Sequence, residues 1–205
     1  MKLKILNIGS FKVNNYILFD EESNEIVLID AGGDLEATKA EIDKLGGELK
    51  YLLNTHGHMD HIAGDYDIQN YYNVPIYLHK DDESLVHEMK QYLQYVGMPD
   101  YEEPQNITYI EDGQIFKIGE HIIKTIHTPG HTRGGVSYLI GDMLFSGDTL
   151  FFESIGRTDL PGGSYEELVK SIKTKLFTLP ENIIVYPGHG ESSTIGHEKS
   201  NNQYV

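Results

Sequence analysis

Residues 55–64, with the sequence THGHMDHIAG, place three histidines and one aspartate close together in a short stretch of chain. The apolar run LKYLLN directly before them is typical of a buried β-strand, so the cluster begins where a strand ends. Imidazole nitrogens and carboxylate oxygens are ligands that zinc, iron and manganese ions accept in proteins. A polar turn with capping residues is the alternative, but ligand-type groups packed this closely favour a metal site. The fold must therefore hold these side chains on a rigid edge.

Three later segments repeat the same local design, in which an apolar strand leads into a tight glycine-containing turn. TIHTPGHT contains His131, LFSGDTLF contains Asp148 and IIVYPGHGE contains His189. A single histidine in such a turn is more often structural than ligating. Strand ends that feed loops, however, hold functional side chains at one edge of a rigid scaffold. The four segments together predict two metal sites: His56, His58 and His131 for one ion, Asp60, His61 and His189 for the other, and Asp148 as the bridge.

Strand-like runs and helical patterns follow one another in two similar halves of the chain. In the first half, a helix is predicted over Leu35–Leu45 after an N-cap at Asp34, and another over 82–96 that ends at Gly97. The second half opens with strands, and its last clear helix begins at Ser164. Two sheets packed face to face, with helices on their outer faces, would bury the apolar side of every element. We therefore predict an α/β (α+β) fold, a four-layer αββα sandwich.

Length, charge and cysteine content narrow the class of protein. At 205 residues, the chain is long enough for one domain over residues 1–205 with a buried core. Its 16 basic and 32 acidic residues give a formal net charge of −16, which argues against nucleic-acid or anionic-membrane partners. No apolar stretch reaches the ~18 residues of a membrane span. The absence of cysteine excludes disulfides and a thiol nucleophile, and it is compatible with a cytoplasmic location.

The motifs THGHMDHIAG, HTPGHT, FSGDTLF and YPGHG, in this order and spacing, resemble those of the metallo-β-lactamase superfamily. The resemblance spans residues 26–190 and fills all seven ligand positions. Within the superfamily, SIGRTDLPGGSYEELVKSI and YPGHGESSTIGHEKSNNQYV are similar to single-domain bacterial glyoxalase-II-like hydrolases, the hydroxyacylglutathione hydrolases. This likeness implies cleavage of thioesters such as S-lactoylglutathione at a centre of two divalent ions. Zinc is the metal expected first, and iron or manganese also suit the ligands.

The chemistry expected of such a site uses no side-chain nucleophile. Metal binding lowers the pKa of water from 15.7 to about 7, so a hydroxide bridging the ions would attack the thioester carbonyl. Asp60 and Asp148 are the catalytic carboxylates expected to hold the ions in place for that attack. The charge of two divalent ions exceeds that of these carboxylates and one hydroxide, which favours a small anionic thioester as the substrate.

Arg157 is the expected substrate anchor, because the family places a glutathione-contacting basic residue at the matching position. A structural ion pair with Asp159 is the alternative role for this side chain. The chain has Glu191 where the family has a glutathione-contacting tyrosine, and we expect no counterpart of the family's helical C-terminal domain. A broader thioesterase is therefore an alternative to an enzyme specific for glutathione. The sequence leaves the oligomeric state open.

Two other functions are compatible with the same ligand set. Persulfide dioxygenases share the scaffold and the GRTD stretch, and they use a single iron ion. A non-catalytic metal-binding protein would be the second alternative, although the expected open positions between two ions favour catalysis. The sequence does not count bound ions, but LPGGSYEEL and the tail GHGESSTIGHEKSNN resemble the hydrolase branch, which favours hydrolysis.

Overall fold

A computed structural model gives the fold of the protein and describes residues 1–8, 12–32, 35–95 and 102–205. The predicted N-cap Asp34 and the predicted helix end at Gly97 lie outside the described residues. Within the described part of the chain, no helix has the length and apolar character that crossing a bilayer requires.

The amino-terminal half of the chain forms a six-stranded sheet. Its strands are β1 (Lys2–Ile8), β2 (Val13–Asp20), β3 (Glu25–Ile29), β4 (Glu48–Leu53), β5 (Ile76–His79) and β6 (Thr108–Ile110). They lie side by side in chain order, antiparallel from β1 to β3 and parallel from β3 to β6. The helices of this half are α1 (Leu35–Leu45), α2 (Met59–Ile62), α3 (Asp65–Tyr72) and α4 (Glu83–Tyr95).

The second half forms another six-stranded sheet, in the order β14-β13-β10-β9-β8-β7. Its strands are β7 (Ile115–Ile118), β8 (His121–His127), β9 (Val136–Ile140), β10 (Met143–Gly147), β13 (Ile184–Pro187) and β14 (Ser193–Thr194). A short hairpin of β11 (Leu150–Phe151) and β12 (Ser154–Ile155) follows β10. The helices are α5 (Tyr165–Thr174) and α6 (Ile195–Asn201).

Strand β2 is buried on both faces, and this burial shows how the layers stack. Tyr16 points towards the second sheet, where its ring lies 4.9 Å from the ring of Phe145. Ile17, one residue further on, packs on the opposite face against Ile42 of α1. On the second sheet, α5 and α6 cover the outer face through residues such as Leu168. The predicted four-layer αββα sandwich is therefore confirmed.

Most predicted elements appear where the apolar patterns indicate them. Helix α1 has the predicted limits, and the helix predicted over 82–96 begins at Glu83, after a 3₁₀ turn at Lys80–Asp82. The sequence predicts one short helix after Asp60, and the structure has two there, α2 and α3; α6 is not predicted.

Strands β4, β8, β10 and β13 all end at one edge of the sandwich. Hydrogen bonds between the sheets tie this edge together: the Tyr138 hydroxyl donates to the carbonyl oxygen of Asn54, 2.8 Å away. The backbone N–H of Val136 donates to the carbonyl oxygen of Thr55 at 2.8 Å, and that of Asn14 to Gly188 at 2.7 Å. Loops from both sheets therefore meet in a fixed relation at this edge.

Candidate metal centre

The four sequence segments singled out for ligand-type side chains meet at this edge. His56 and His58 lie in the extended segment after β4, and Asp60 and His61 lie in the following short helix α2. The other three side chains follow the ends of different strands, with His131 after β8, Asp148 after β10 and His189 after β13. The structure thus brings together all seven residues that the sequence proposes as ligands.

The first group of three is formed by His56, His58 and His131. One ring nitrogen of each lies within 4.8 Å of the others, and His58 Nδ1 is 2.9 Å from His131 Nε2. His56 and His131 are buried, whereas His58 is half-buried. We call this group the first triad.

The second group of three is formed by Asp60, His61 and His189, and we call it the second triad. His189 Nε2 lies 3.2 Å from Asp60 Oδ2 and 3.4 Å from His61 Nε2. Asp148 lies between the triads: its Oδ1 is 3.4 Å from His61 Nε2, and its Oδ2 is 3.4 Å from His131 Nε2. Asp148 therefore lies 3.4 Å from a ring nitrogen of each triad.

Two buried atoms of the centre have no hydrogen-bond partner among the described residues, His56 Nε2 and Asp148 Oδ1. A buried acceptor without a donor costs about 1–3 kcal/mol, and coordination of a cation would remove this cost. Burial lowers the pKa of His56 well below its usual value, and burial together with His131 lowers that of His58 to about 4. These imidazoles are therefore neutral at pH 7, which is the form that binds metal.

The carboxylate of Asp148 is ionised in the same surroundings. Burial raises the pKa of Asp148, but the imidazoles of His61, His131 and His189 outweigh it and bring the pKa to about 2. The neutral imidazoles of His56 and His58 and the ionised carboxylate of Asp148 are donors that suit a divalent transition-metal ion. Despite burial, the pKa of His61 is raised by Asp30 and Asp148, and that of His189 is raised by its hydrogen bond to Asp60, so a bound cation would displace protons there. The residues present therefore fit such ions.

Asp30 belongs to neither triad, but it contacts His61 of the second triad and the neighbouring Thr55. Its Oδ2 lies 2.8 Å from His61 Nδ1, so the other ring nitrogen of His61 faces the second triad. Its two oxygens also accept hydrogen bonds from the backbone N–H (2.7 Å) and the hydroxyl (2.9 Å) of Thr55. Carboxylates that bond the second nitrogen of a ligating histidine fix its ring orientation.

Gly188 and Gly147 allow the chain to approach the centre closely. A Cβ atom at Gly188 would overlap Asp148 Oδ1 and would lie 2.7 Å from His61 Cε1. Gly147 has φ +50°, in the left-handed region that favours glycine, directly before Asp148. Steric and conformational constraints thus explain why glycine occupies position 147 of the SGD motif and position 188 of the PGHG motif.

Asp82 is a buried residue of the edge that the sequence analysis misses. It lies at the end of the 3₁₀ turn after β5, and its carboxylate accepts hydrogen bonds from loops on either side of the first triad. The signal available in the sequence is weak: an acidic pair in HKDD that follows a strand, as many surface turns do.

A further cluster of His79, Asp81 and His127 offers three ligand-type atoms within 4.8 Å of one another. The two imidazole rings are stacked, with centroids 4.2 Å apart and an interplanar angle of 8°. The lone pair of an imidazole nitrogen lies in the ring plane, and two nearly parallel planes do not meet at a nearby point. In this arrangement the rings pack on each other, and they do not converge on an ion.

A cavity of about 840 Å³ opens over both triads. Its polar floor is formed by Asp148 and four of the six triad residues, His58, Asp60, His131 and His189. Its walls are mostly apolar: Met59, Leu85, Phe151, Ile155, Leu160 and Pro161. Arg157 also lines the cavity, and its guanidinium forms two hydrogen bonds with Asp159, of 2.7 and 2.8 Å. The structure therefore contains the Arg157–Asp159 ion pair, which is the alternative role expected for Arg157. It also places the Arg157 side chain beside the candidate centre.

Residues 9–189 match the sequence model of the metallo-beta-lactamase superfamily. The hydroxyacylglutathione hydrolase GloC of Haemophilus influenzae is 35% identical, in a match that covers 100% of this chain and 98% of GloC.

Two solved structures are similar over nearly the whole fold. The BLEG-1 B3 metallo-beta-lactamase has a TM-score of 0.88 at 34% identity, with 99% of each chain covered. The di-iron-bound form of TTHA1623 has a TM-score of 0.87 at 31% identity, with 98% of this chain and 100% of the other covered.

Proposed function

The chain belongs to the metallo-beta-lactamase superfamily, and on that premise we propose that it is a metal-dependent hydrolase that cleaves thioesters such as S-lactoylglutathione. The observation that carries the proposal is the position of Asp148 between two triads of ligand-type side chains, on the floor of an open cavity. The relative named hydroxyacylglutathione hydrolase, similar over its full length, supports the choice of substrate.

The seven side chains would hold two divalent ions, one in each triad, with Asp148 shared between them. When bound, such ions supply a water-derived nucleophile at neutral pH and stabilise negative charge on a carbonyl oxygen. Zinc is the metal we propose first, and the di-iron form of a similar structure makes iron the main alternative.

The carboxylate of Asp60 would act as a hydrogen-bond acceptor at the floor of the cavity. Burial raises the pKa of its carboxyl group, but the hydrogen bond from His189 and the nearby His61 outweigh this effect and lower the pKa. Asp60 is therefore ionised at pH 7 and can accept a hydrogen bond from a water molecule above the triads. A thiolate is a good leaving group, so the reaction needs no strong general acid.

The cavity lining favours a substrate that has an apolar portion and an anionic group. Apolar side chains such as Phe151 and Leu160 would exclude water from the acyl group. Arg157 would meet a carboxylate of the thiol portion. A small anionic thioester combines these features.

The test is metal analysis of the purified protein together with an S-lactoylglutathione hydrolysis assay. We expect about two ions per chain and a metal-dependent release of free thiol. Replacing the shared ligand, Asp148→Ala, should lower kcat/KM by more than the 10–100-fold typical of residues that only support a ligand. The control is Asp142→Ala, an exposed carboxylate at the opposite end of β10, which should retain wild-type activity. Near-wild-type turnover of Asp148→Ala would contradict the bridging role.

Two outcomes of the same assays would favour another function. One iron ion per chain, with oxygen consumption on glutathione persulfide, would favour a mononuclear persulfide dioxygenase. Absence of turnover on thioesters, lactones and β-lactams would favour a non-catalytic metal-binding protein. The β-lactam arm is included because one similar structure is a metallo-beta-lactamase.

A further inference from the structure

Asp82 is a fully buried carboxylate between two loops of the candidate metal centre. Its Oδ2 accepts hydrogen bonds from the backbone N–H of Gly57 at 2.9 Å and from the hydroxyl of Thr132 at 2.7 Å. Its Oδ1 accepts a third from the backbone N–H of Gly134 at 2.6 Å. Burial raises the pKa of the Asp82 carboxyl group, and the three donors offset part of the loss of hydration.

All three donors belong to segments that carry the first triad. Gly57 lies between His56 and His58, and Thr132 directly follows His131. None of these three hydrogen bonds involves Asp60, His61 or His189. Asp82 therefore joins the two separate pieces of chain from which the first triad is assembled.

The loops fit closely around Asp82. A Cβ atom at Gly57 would lie 2.9 Å from the carbonyl oxygen of Asp82, and one at Gly134 would lie 2.7 Å from its Cγ. Real Cβ atoms essentially never make contacts below 3.0 Å, so a larger residue at either position would displace the Asp82 turn. Two glycines thus allow one carboxylate to reach the backbone of both loops.

We propose that Asp82 is a positioning residue that holds His56, His58 and His131 in metal-binding geometry while leaving the second triad largely unaffected. This inference rests on the metal centre proposed above. Without the carboxylate, the loops of His58 and His131 lose their common anchor, and the three imidazoles no longer converge. The second triad keeps its own support, because Asp30 lies 2.8 Å from the Nδ1 atom of His61.

The test measures Co²⁺ affinity in two backgrounds that each retain one triad, using the visible absorption of the bound ion. His189→Ala disables the second triad and leaves the first, whereas His58→Ala disables the first and leaves the second. We expect Asp82→Asn to weaken Co²⁺ binding about 10–100-fold in the His189→Ala background, as removal of a ligand-supporting carboxylate typically does. In the His58→Ala background, we expect a change below about threefold.

The matched control is Glu198→Gln. Glu198 is also fully buried and accepts three hydrogen bonds, from Ser193, the backbone of Glu153 and Asn202, none of which is a proposed ligand. The Glu198→Gln substitution should destabilise the fold without changing Co²⁺ affinity in either background.

A second variant serves if Asp82→Asn does not fold. Thr132→Val removes one of the three donors and keeps the side-chain volume, and it should weaken the first triad alone, about 3–10-fold. Equal loss in both backgrounds, loss in neither, or the same loss with Glu198→Gln would overturn the inference. Absence of Co²⁺ binding by the wild-type chain would overturn it together with the metal centre. Absence of thioester hydrolysis with intact Co²⁺ binding would overturn only the proposed function.

Discussion

Arg157 is both the ion-pair partner of Asp159 and a residue of the cavity lining. Its guanidinium donates hydrogen bonds to both oxygens of Asp159 in a bidentate arrangement, and it also lines the cavity above the candidate centre. Both side chains are largely exposed, with relative exposures of 60% and 67%. Ion pairs this exposed contribute little to stability, so the pair leaves the guanidinium available to a substrate carboxylate.

Replacement of Arg157 tests this availability. Arg157→Ala should raise KM for S-lactoylglutathione about 3–10-fold and leave KM for a neutral thioester nearly unchanged, because only the anionic substrate loses a partner. Steady-state kinetics on both substrates measure the difference. Lys170→Ala, which removes an exposed cation of α5, controls for the change in net charge. Equal losses on both substrates would make Arg157 a structural residue.

At the level of elements, helix α5 supports the loop that carries His131. The backbone N–H of Ser164 donates to the carbonyl oxygen of Gly130 at 2.7 Å, and the hydroxyl of Ser171 donates to that of Pro129 at 2.8 Å. Gly130 adopts φ +134°, and a Cβ atom there would overlap the backbone of Leu168. The first turns of α5 and the PGH turn therefore pack as one unit.

Ser164 stabilises this unit as the N-cap of α5, since its hydroxyl accepts a hydrogen bond from the Glu167 N–H at 3.3 Å. Ser164→Ala should lower the free energy of unfolding by about 1 kcal/mol, as loss of an N-cap typically does. Metal content should stay unchanged, because the backbone bond to Gly130 remains. Urea denaturation measures the effect, and Ser164→Asp, which keeps a capping oxygen, should stay close to wild type. An equal loss in both variants would assign the effect to another contact.

For the whole molecule, apolar periodicity predicts the architecture well, because both sheets and most helices bury continuous stripes. The limits of α1 and the capping serine of α5 follow directly from such patterns. The limits of α3, and its separation from α2, escape prediction because the sequence of α3, DYDIQNYY, is rich in tyrosine and buries only Asp65 and Ile68. Local preference is weak there, and packing against the first sheet decides the conformation.

In the candidate site, too, some residues can be predicted from the sequence and others cannot. The seven ligand-type residues are recognisable because the four segments that contain them each follow a strand and contain glycine beside the ligand-type side chains. Asp82 is not recognisable, because its role depends on bonds to Thr132 and Gly134, which lie far from it in the sequence. Only the packing of two sheets reveals that an acidic residue in an ordinary turn is buried between two loops.

Removal of metal should destabilise the entire fold, since loops from both sheets share the proposed ligands. Ligand binding at 100 times Kd contributes about 2.7 kcal/mol, and 1 kcal/mol shifts the Tm of a chain of this size by about 2–4 °C. A chelator should therefore lower Tm by roughly 5–10 °C. Differential scanning calorimetry with and without a chelator measures this shift, and added Zn²⁺ should reverse it. An unchanged Tm would mean that the loops are held without ions.

The spacing of the triads along the chain has a consequence for biosynthesis. His56, His58, Asp60 and His61 leave the ribosome early, and His131 follows well before His189. At ~5–20 residues per second, all members of the first triad are present on the nascent chain several seconds before the second triad is complete. Translation therefore imposes an order in which the first ion can be captured while the second still lacks a ligand.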